Sequence, residues 1–364
     1  MKGIHQFVPM LHSHDAVGEH TRSLRDLLVA AGVPSHIYSE IPDPATAGET
    51  RPYLDYESEA EAGDVLVYQF ATYSAMAEWV AARPEPLVIN YHSITPPEYF
   101  GPWNNAITRL QVGARADLDR LAPRAALGIA VSRFDADELG AAGCSRISVI
   151  PVVNVQVPPV EPDGATLDRL RERWSDPGGA WLSVGRLAPN KAHQQVIAAL
   201  FVARATSNPG AHLALVGSPS EPAYAAALRR YASSLGLADA VEFVTGISDA
   251  ELAAHYRAAD VLVMLSEHEG FGVPLVEAMG QGLPIVAFRA GAVPEILGDA
   301  GILLDHKGPR RVAEAVCGLT SDSREQDRLV EAGRVRLRAL DLGGAGKLLV
   351  EAVQGVSASG GTGP

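Results

Sequence analysis

Cysteine is scarce, with only Cys144 and Cys317 in 364 residues. They stand far apart with no paired spacing, so neither a disulfide framework nor a cysteine-based zinc site is indicated, and a reducing, cytoplasmic setting is expected. No apolar run reaches the roughly 20 residues that cross a bilayer, and no basic leader with a long apolar core precedes the first apolar segment, so a membrane span and a secretory signal are not expected. Basic residues are in deficit. Thirty Lys and Arg against 43 Asp and Glu give a formal charge of -13, which opposes nonspecific binding to nucleic acid or anionic lipid. No internal repeat is visible. The one low-complexity segment, Ser357 to Pro364, is expected to be disordered.

What is present is ample for two cores: 47% of the residues are hydrophobic, and 364 residues exceed what one core usually supports. Short apolar runs alternate with helical patterns throughout, which argues for parallel sheets with ligands at the carboxyl ends of the strands. In the second half the runs are Trp181–Val184, Leu213–Ser218, Val241–Ile247, Asp260–Leu265 and Gly282–Ala287. In the first half they are Ile4–Pro9, Val65–Tyr68, Leu87–Tyr91, Ala126–Val131 and Ile147–Pro151, with a helix from His20 to Ala31 ended by Gly32. The segment Pro158-Pro159-Val160-Glu161-Pro162 reads as a linker, which places a hinge near residue 157.

The densest signal is Ser266-Glu267-His268-Glu269-Gly270-Phe271-Gly272-Val273-Pro274-Leu275-Val276-Glu277. It follows a β-rich run, and Pro274 suits a first helical turn, so the amides of Phe271, Gly272, Val273 and Leu275 should gather at a positive helix end able to hold phosphate. Two glutamates eight positions apart are ordinarily a solvated helix face. Here Glu269 falls in the loop and Glu277 about a turn into the helix, so one carboxylate can sit beside a diphosphate and sugar while the other accepts from a ribose diol. About eighty residues earlier, Gly185-Arg186 and Lys191 flank a second strand exit with two cations, a planar fork and a mobile point charge.

The Glu-x7-Glu arrangement around Glu269 and Glu277, with Gly270-Phe271-Gly272 between, resembles that of family 4 retaining glycosyltransferases of GT-B fold, as does Gly-Arg-x4-Lys at Gly185, Arg186 and Lys191. The resemblance spans most of the second half. It implies two Rossmann-like, doubly wound parallel-sheet domains facing across a cleft. The domains would run over 1–157 on the acceptor side and 158–340 on the nucleotide-sugar side, with 341–355 a helix crossing back and 356–364 a disordered tail. Arg186 and Lys191 would then clamp a UDP- or GDP-linked donor, Gly217 would lie at a donor-side glycine turn, and Ile247 at a strand exit would meet the base. In the first half, Gly18 and His20 occupy the loop where the family has a paired-glycine loop and a histidine; here Asp15-Ala16-Val17-Gly18 leaves Gly18 alone. His92 matches a histidine beside the donor sugar, although a lone histidine is more often a structural hydrogen bonder.

The function implied is retaining transfer of a sugar from a nucleotide-diphosphate donor to an unidentified acceptor nucleophile, with Glu269, Arg186, Lys191 and His92 in catalytic roles and no metal or cofactor. Acceptor contacts are expected on residues 10–20, 68–76 and 92–105. A nucleotide-sugar epimerase on the same fold would need acid-base carboxylates that cannot be located, and a catalytically silent nucleotide-sugar-binding protein would not need Glu269, Arg186 and Lys191 together. Asp135-Ala136-Asp137 mimics a metal-binding triplet, but it lies in a helix opened by Ser132, where residues two apart diverge. His12 and His14 lack a third ligand.

Overall fold

The computed structural model describes residues 2–12, 16–153, 160–175 and 179–359. The expected hinge near residue 157, with Pro158-Pro159, lies outside them, as do His14, Asp15 and the last five residues of the tail. The chain divides into two compact units, one formed by Met1–Gly101, Asn105–Asn154 and Asp341–Pro364, the other by Pro102–Asn104 and Val155–Leu340.

The first unit is built on strands β1 (Ile4–Met10), β2 (Ile37–Ile41), β3 (Thr50–Pro52), β4 (Val65–Phe70), β5 (Leu87–Tyr91), β6 (Leu127–Ala130) and β7 (Ile147–Val149). They form one sheet in the order β3-β2-β1-β4-β5-β6-β7, with every pair parallel. Its helices are α1 (Ala16–Ala30), α2 (Tyr56–Glu59), α3 (Met76–Ala82), α4 (Asn105–Leu121) and α5 (Arg133–Ala141). Period-2 alternation explains why both faces are covered. Leu66, Tyr68 and Phe70 of β4 pack with Val80 of α3 and Leu118 of α4, whereas Val65 and Val67 pack on the other face with Leu24 and Leu28 of α1.

The second unit carries α6 (Gly164–Arg173), β8 (Ala180–Val184), α7 (His193–Thr206), β9 (His212–Val216), α8 (Pro222–Ser234), β10 (Val241–Val244), α9 (Asp249–Ala258), β11 (Val261–Met264), α10 (Val273–Gln281), β12 (Ile285–Phe288), α11 (Val293–Leu297), β13 (Ile302–Leu304), α12 (Pro309–Thr320) and α13 (Ser323–Leu340). The sheet order is β10-β9-β8-β11-β12-β13, again all parallel. Strand order therefore reverses between β8 and β11, the place where a doubly wound sheet opens a crevice at its carboxyl edge. Trp181, Leu213, Leu215 and Val263 form the core with Val196 and Leu200 of α7 and Val312 and Val316 of α12. At α9 the capping box is complete: Ser248 Oγ accepts from the Glu251 amide at 3.3 Å, and Glu251 Oε2 accepts from the Ser248 amide at 2.8 Å.

The last helix, α14 (Leu342–Ser359), belongs to the first unit, where Ala345, Leu349 and Val353 join the Leu24–Leu28 face of α1. The helix continues past residue 355, so residues 356–359 are helical where composition alone suggested a tail. Gly18 also corrects the sequence reading. It lies inside the first turn of α1, not in a loop, because the helix begins at Ala16. The strand expected over Val241–Ile247 ends at Val244, which leaves Ile247 in the connection before Ser248. Among the described residues, no helix is long and apolar enough to cross a membrane.

Candidate nucleotide-sugar site

The carboxyl ends of β8, β9 and β11 bring together Gly185, Arg186, Lys191, Gly217 and Glu269, whereas Ile247 follows β10. After β8 the chain turns at Gly185 and is laced to the exit of β9: the Gly185 amide donates to Val216 O and the Leu187 amide to Ser218 O, each at 2.9 Å. Gly217 has φ +151°, and a Cβ there would overlap the Gly185 carbonyl, so the two exits touch through backbone alone. Arg186 projects from this turn, exposed and with no side-chain partner among the described residues. Beneath it lies His193, buried, with Nε2 3.2 Å from the Arg186 carbonyl oxygen. Burial lowers the His193 pKa to about 4, so the ring is neutral and its Nε2–H is the donor to that carbonyl.

Lys191 ends a single 3-10 turn, Pro189–Lys191, and its Nζ lies 2.5 Å from Glu269 Oε1. The two motifs, 78 residues apart, thus meet in one ion pair. The loop carrying Glu269 is held from two sides. Asn190 accepts from the Glu267 amide through its carbonyl oxygen at 2.7 Å and donates Nδ2 to the His268 carbonyl at 3.3 Å. On the other side, the Ala292 amide donates to the Glu269 carbonyl at 2.9 Å, and a Cβ on Gly291 would overlap that same carbonyl. Glu269 is only 8% exposed, which makes its pairing with Lys191 necessary for an ionised carboxylate at that depth.

Helix α10 starts at Gly272, its N-cap, with Pro274 in the first turn. The amides of Phe271, Gly272 and Val273 have no acceptor among the described residues, and Gly270 precedes them in the same turn. Leu275 departs from the expected set: its amide donates to the Gly272 carbonyl at 2.9 Å, which removes it from the group that can face an anion. Five residues into the helix, Glu277 accepts from Tyr256 Oη of α9 at 2.6 Å. Burial raises the Glu277 pKa, with the Tyr256 bond acting in the opposite direction, while Tyr256, buried beside the carboxylate, is pushed up in turn.

Sequence reasoning missed Tyr256, Asn190, His193 and Gly291. Asn190 stands within the Gly-Arg-x4-Lys motif, but Tyr256 reaches Glu277 only through the packing of two helices. The metal-like triplet is dispersed. Asp135 is buried and Asp137 exposed within α5, and no cluster of three or more potential ligands occurs among the described residues. His12 lies 3.6 Å from Asp43.

Gly18 and His92 lie in the first unit and are described there. His92 follows β5, with Nε2 2.7 Å from Gln69 Oε1 and its ring edge-on to His20 at 5.3 Å between centroids. His20 is fully buried, and burial lowers its pKa to about 4. His92 is likewise held well below the ordinary imidazole value, by burial first and by His20 second.

Residues 171–336 match the family described as glycosyl transferases group 1. The D-inositol 3-phosphate glycosyltransferase of Thermomonospora curvata is 36% identical over 178 residues, 46% of this chain and 41% of that protein. The GDP-mannose-dependent alpha-(1-6)-phosphatidylinositol monomannoside mannosyltransferase of Mycolicibacterium smegmatis is 34% identical over 183 residues, 48% of this chain and 47% of that protein. The alignments therefore span less than half the length of these two relatives. In fold, the chain is similar to Anabaena Alr3699/HepE, solved with UDP-glucose, at a TM-score of 0.76 and 19% identity over 97% of this chain and 99% of that one. Residues 171–336 thus match the glycosyl transferases group 1 family, in a chain with the two-sheet GT-B fold.

Proposed function

We propose that this protein is a retaining glycosyltransferase that moves a sugar from a nucleoside-diphosphate donor to an acceptor nucleophile without a metal ion. The observation that carries the reading is the meeting of Lys191 and Glu269 at the β8 and β11 ends, between the unpartnered Arg186 and the open amides before α10. Arg186, Lys191 and the amides are donors suited to a pyrophosphate, and the Lys191 ammonium also offsets the carboxylate of Glu269 beside it. Lys191 has three N–H donors, of which Glu269 takes one. Glu277 Oε2 is engaged by Tyr256, and Oε1 remains to accept from a ribose diol.

In the reaction, the bond between the anomeric carbon and the β-phosphate oxygen breaks and its electron pair stays on the leaving diphosphate. Arg186, Lys191 and the amides of Phe271, Gly272 and Val273 oppose that charge from fixed positions, which stabilises the transition state more than the ground state. The acceptor oxygen attacks from the same face, and its proton passes to the departing phosphate. This route needs no carboxylate nucleophile on the far face. Similarity to a GDP-mannose-dependent enzyme and to a fold solved with UDP-glucose supports a nucleoside-diphosphate sugar as donor and leaves both bases to be tried. His92 is assigned to the sugar, and the cytoplasmic location expected from two free cysteines belongs to the same proposal.

The test is incubation with a panel of UDP- and GDP-sugars, with and without excess chelator, reading released nucleoside diphosphate. Release that persists under chelation supports the reading. Release that stops with chelator and returns with Mg²⁺ or Mn²⁺ overturns metal independence, and no release from any donor favours a binding protein.

A further inference from the structure

The proton on His92 can be traced through a row of buried amides. Gln6 of β1, Gln69 of β4 and Asn90 of β5 are each fully buried on three adjacent strands. Gln6 Nε2 lies 2.9 Å from the Thr21 carbonyl oxygen of α1, Gln69 Nε2 lies 2.7 Å from Gln6 Oε1, and Gln69 Oε1 lies 3.0 Å from Asn90 Nδ2 and 2.7 Å from His92 Nε2. A main-chain carbonyl has no hydrogen to give, so the end of Gln6 that faces Thr21 must be its NH2. The other end of Gln6 is then an oxygen, which requires the NH2 of Gln69 opposite it. The remaining end of Gln69 must be its oxygen. An oxygen 2.7 Å from an imidazole nitrogen is an acceptor, so that ring nitrogen carries the proton. The direction of the whole row follows from one backbone atom, whichever way each amide is drawn.

We propose that Gln6 and Gln69 are positioning residues for His92: they fix its Nε2–H tautomer and hold the ring so that Nδ1 presents a lone pair to a sugar hydroxyl. The inference rests on the assignment of His92 to the sugar, and it adds the chemical sense of the contact. A neutral imidazole with one proton accounted for can only accept at its second nitrogen. Among the described residues, the titratable ring packed against it is that of His20, which is also neutral, so neither ring drives the other to ionise. A hydroxyl, which can donate, fits that nitrogen; an ionised phosphate, which offers only acceptors, does not.

The full chain labelled with ¹⁵N-histidine tests this by two-bond ¹H–¹⁵N correlation near neutral pH, with His92 assigned from the signals lost in His92→Gln. The expected pattern is a proton-bearing Nε2 and an unprotonated Nδ1. Gln69→Met removes the acceptor at nearly constant volume. It should release the tautomer to a mixture and lower kcat about tenfold, the order of one lost hydrogen bond, with nucleoside-diphosphate affinity unchanged. Loss of fold in that variant would leave the wild-type spectrum as the deciding measurement. A wild-type His92 protonated on Nδ1 overturns the proposal, as does a Gln69→Met protein with unchanged tautomer or unchanged turnover. Failure of the activity itself would show separately, as a wild type that releases no nucleoside diphosphate while the tautomer still reads as stated.

Discussion

Replacing Glu277 should move affinity and stability in opposite directions. Its carboxylate takes a 2.6 Å bond from Tyr256 on one oxygen and sits a turn into α10, where a ribose diol can reach the other. Charge-assisted bonds of that kind contribute about 1.5–3 kcal/mol, so Glu277→Ala should weaken nucleoside-diphosphate binding roughly 10- to 150-fold. The ligand-free protein behaves differently. Burial raises the Glu277 pKa, so the folded chain binds this proton more tightly than the unfolded chain does. A raised carboxylate contributes stability below its unfolded pKa and loses that contribution as pH rises through the folded value, so at neutral pH the ionised group is a cost. Glu277→Gln keeps an oxygen for Tyr256 and removes the charge. Its thermal midpoint without ligand should rise at neutral pH, and the gain should vanish in acid. Calorimetric titration with UDP and GDP, paired with thermal melts across pH, checks both arms. Wild-type affinity in Glu277→Ala would refute the ribose role, and a lower neutral-pH midpoint in Glu277→Gln would refute the cost of the buried charge.

Arg186→Ala should lose roughly 3 kcal/mol of transition-state stabilisation, seen as a large fall in kcat with an unchanged melting temperature, because the side chain is exposed and has no partner among the described residues; turnover within about threefold of wild type would make it a surface cation. Lys191→Ala differs from it by also lowering stability, since Glu269 would remain buried and unpaired, and a melt equal to wild type would contradict the ion pair. Gly217→Ala should impair folding or nucleotide binding, because its Cβ overlaps the Gly185 carbonyl; normal behaviour in both assays would mean that the two strand exits do not touch. His20 has a folded pKa near 4, so the unfolded chain binds its proton first as pH falls from about 6.5, and stability drops by about 3 kcal/mol down to about pH 4. His20→Leu should flatten that acid limb of the stability profile, and an unchanged limb would refute the assignment.

The chain announces its strand-to-helix junctions where apolar runs meet glycine and proline. β11, the loop at Glu269 and α10 could be placed from Val261–Met264, Gly270-Phe271-Gly272 and Pro274, because each residue type limits the backbone locally. β3 and β13 were not visible. Each has only three residues, and β3 ends in Pro52 at the sheet edge, too short for a period to register. The start of α1 was misplaced because Gly18 weakens a helix by propensity, whereas packing of Leu24 and Leu28 on the sheet decides the matter. Leu275 shows the limit of counting amides at a helix end: local geometry had already engaged its N–H with Gly272. Tyr256 and the row Gln6–Gln69–Asn90 depend on pairings between elements 21 to 63 positions apart, for which no local signal exists.

The central claim is that a nucleoside diphosphate binds at the carboxyl ends of β8 and β11, and hydrogen–deuterium exchange with and without saturating UDP or GDP tests it most directly. Protection should concentrate on the backbone from Gly185 to Lys191 and from Ser266 to Glu277, strongest at the open amides of Phe271, Gly272 and Val273, and should be lost in Glu277→Ala at the same ligand concentration. Protection confined to other strands, or none at a ligand concentration that calorimetry shows to be saturating, would contradict the account.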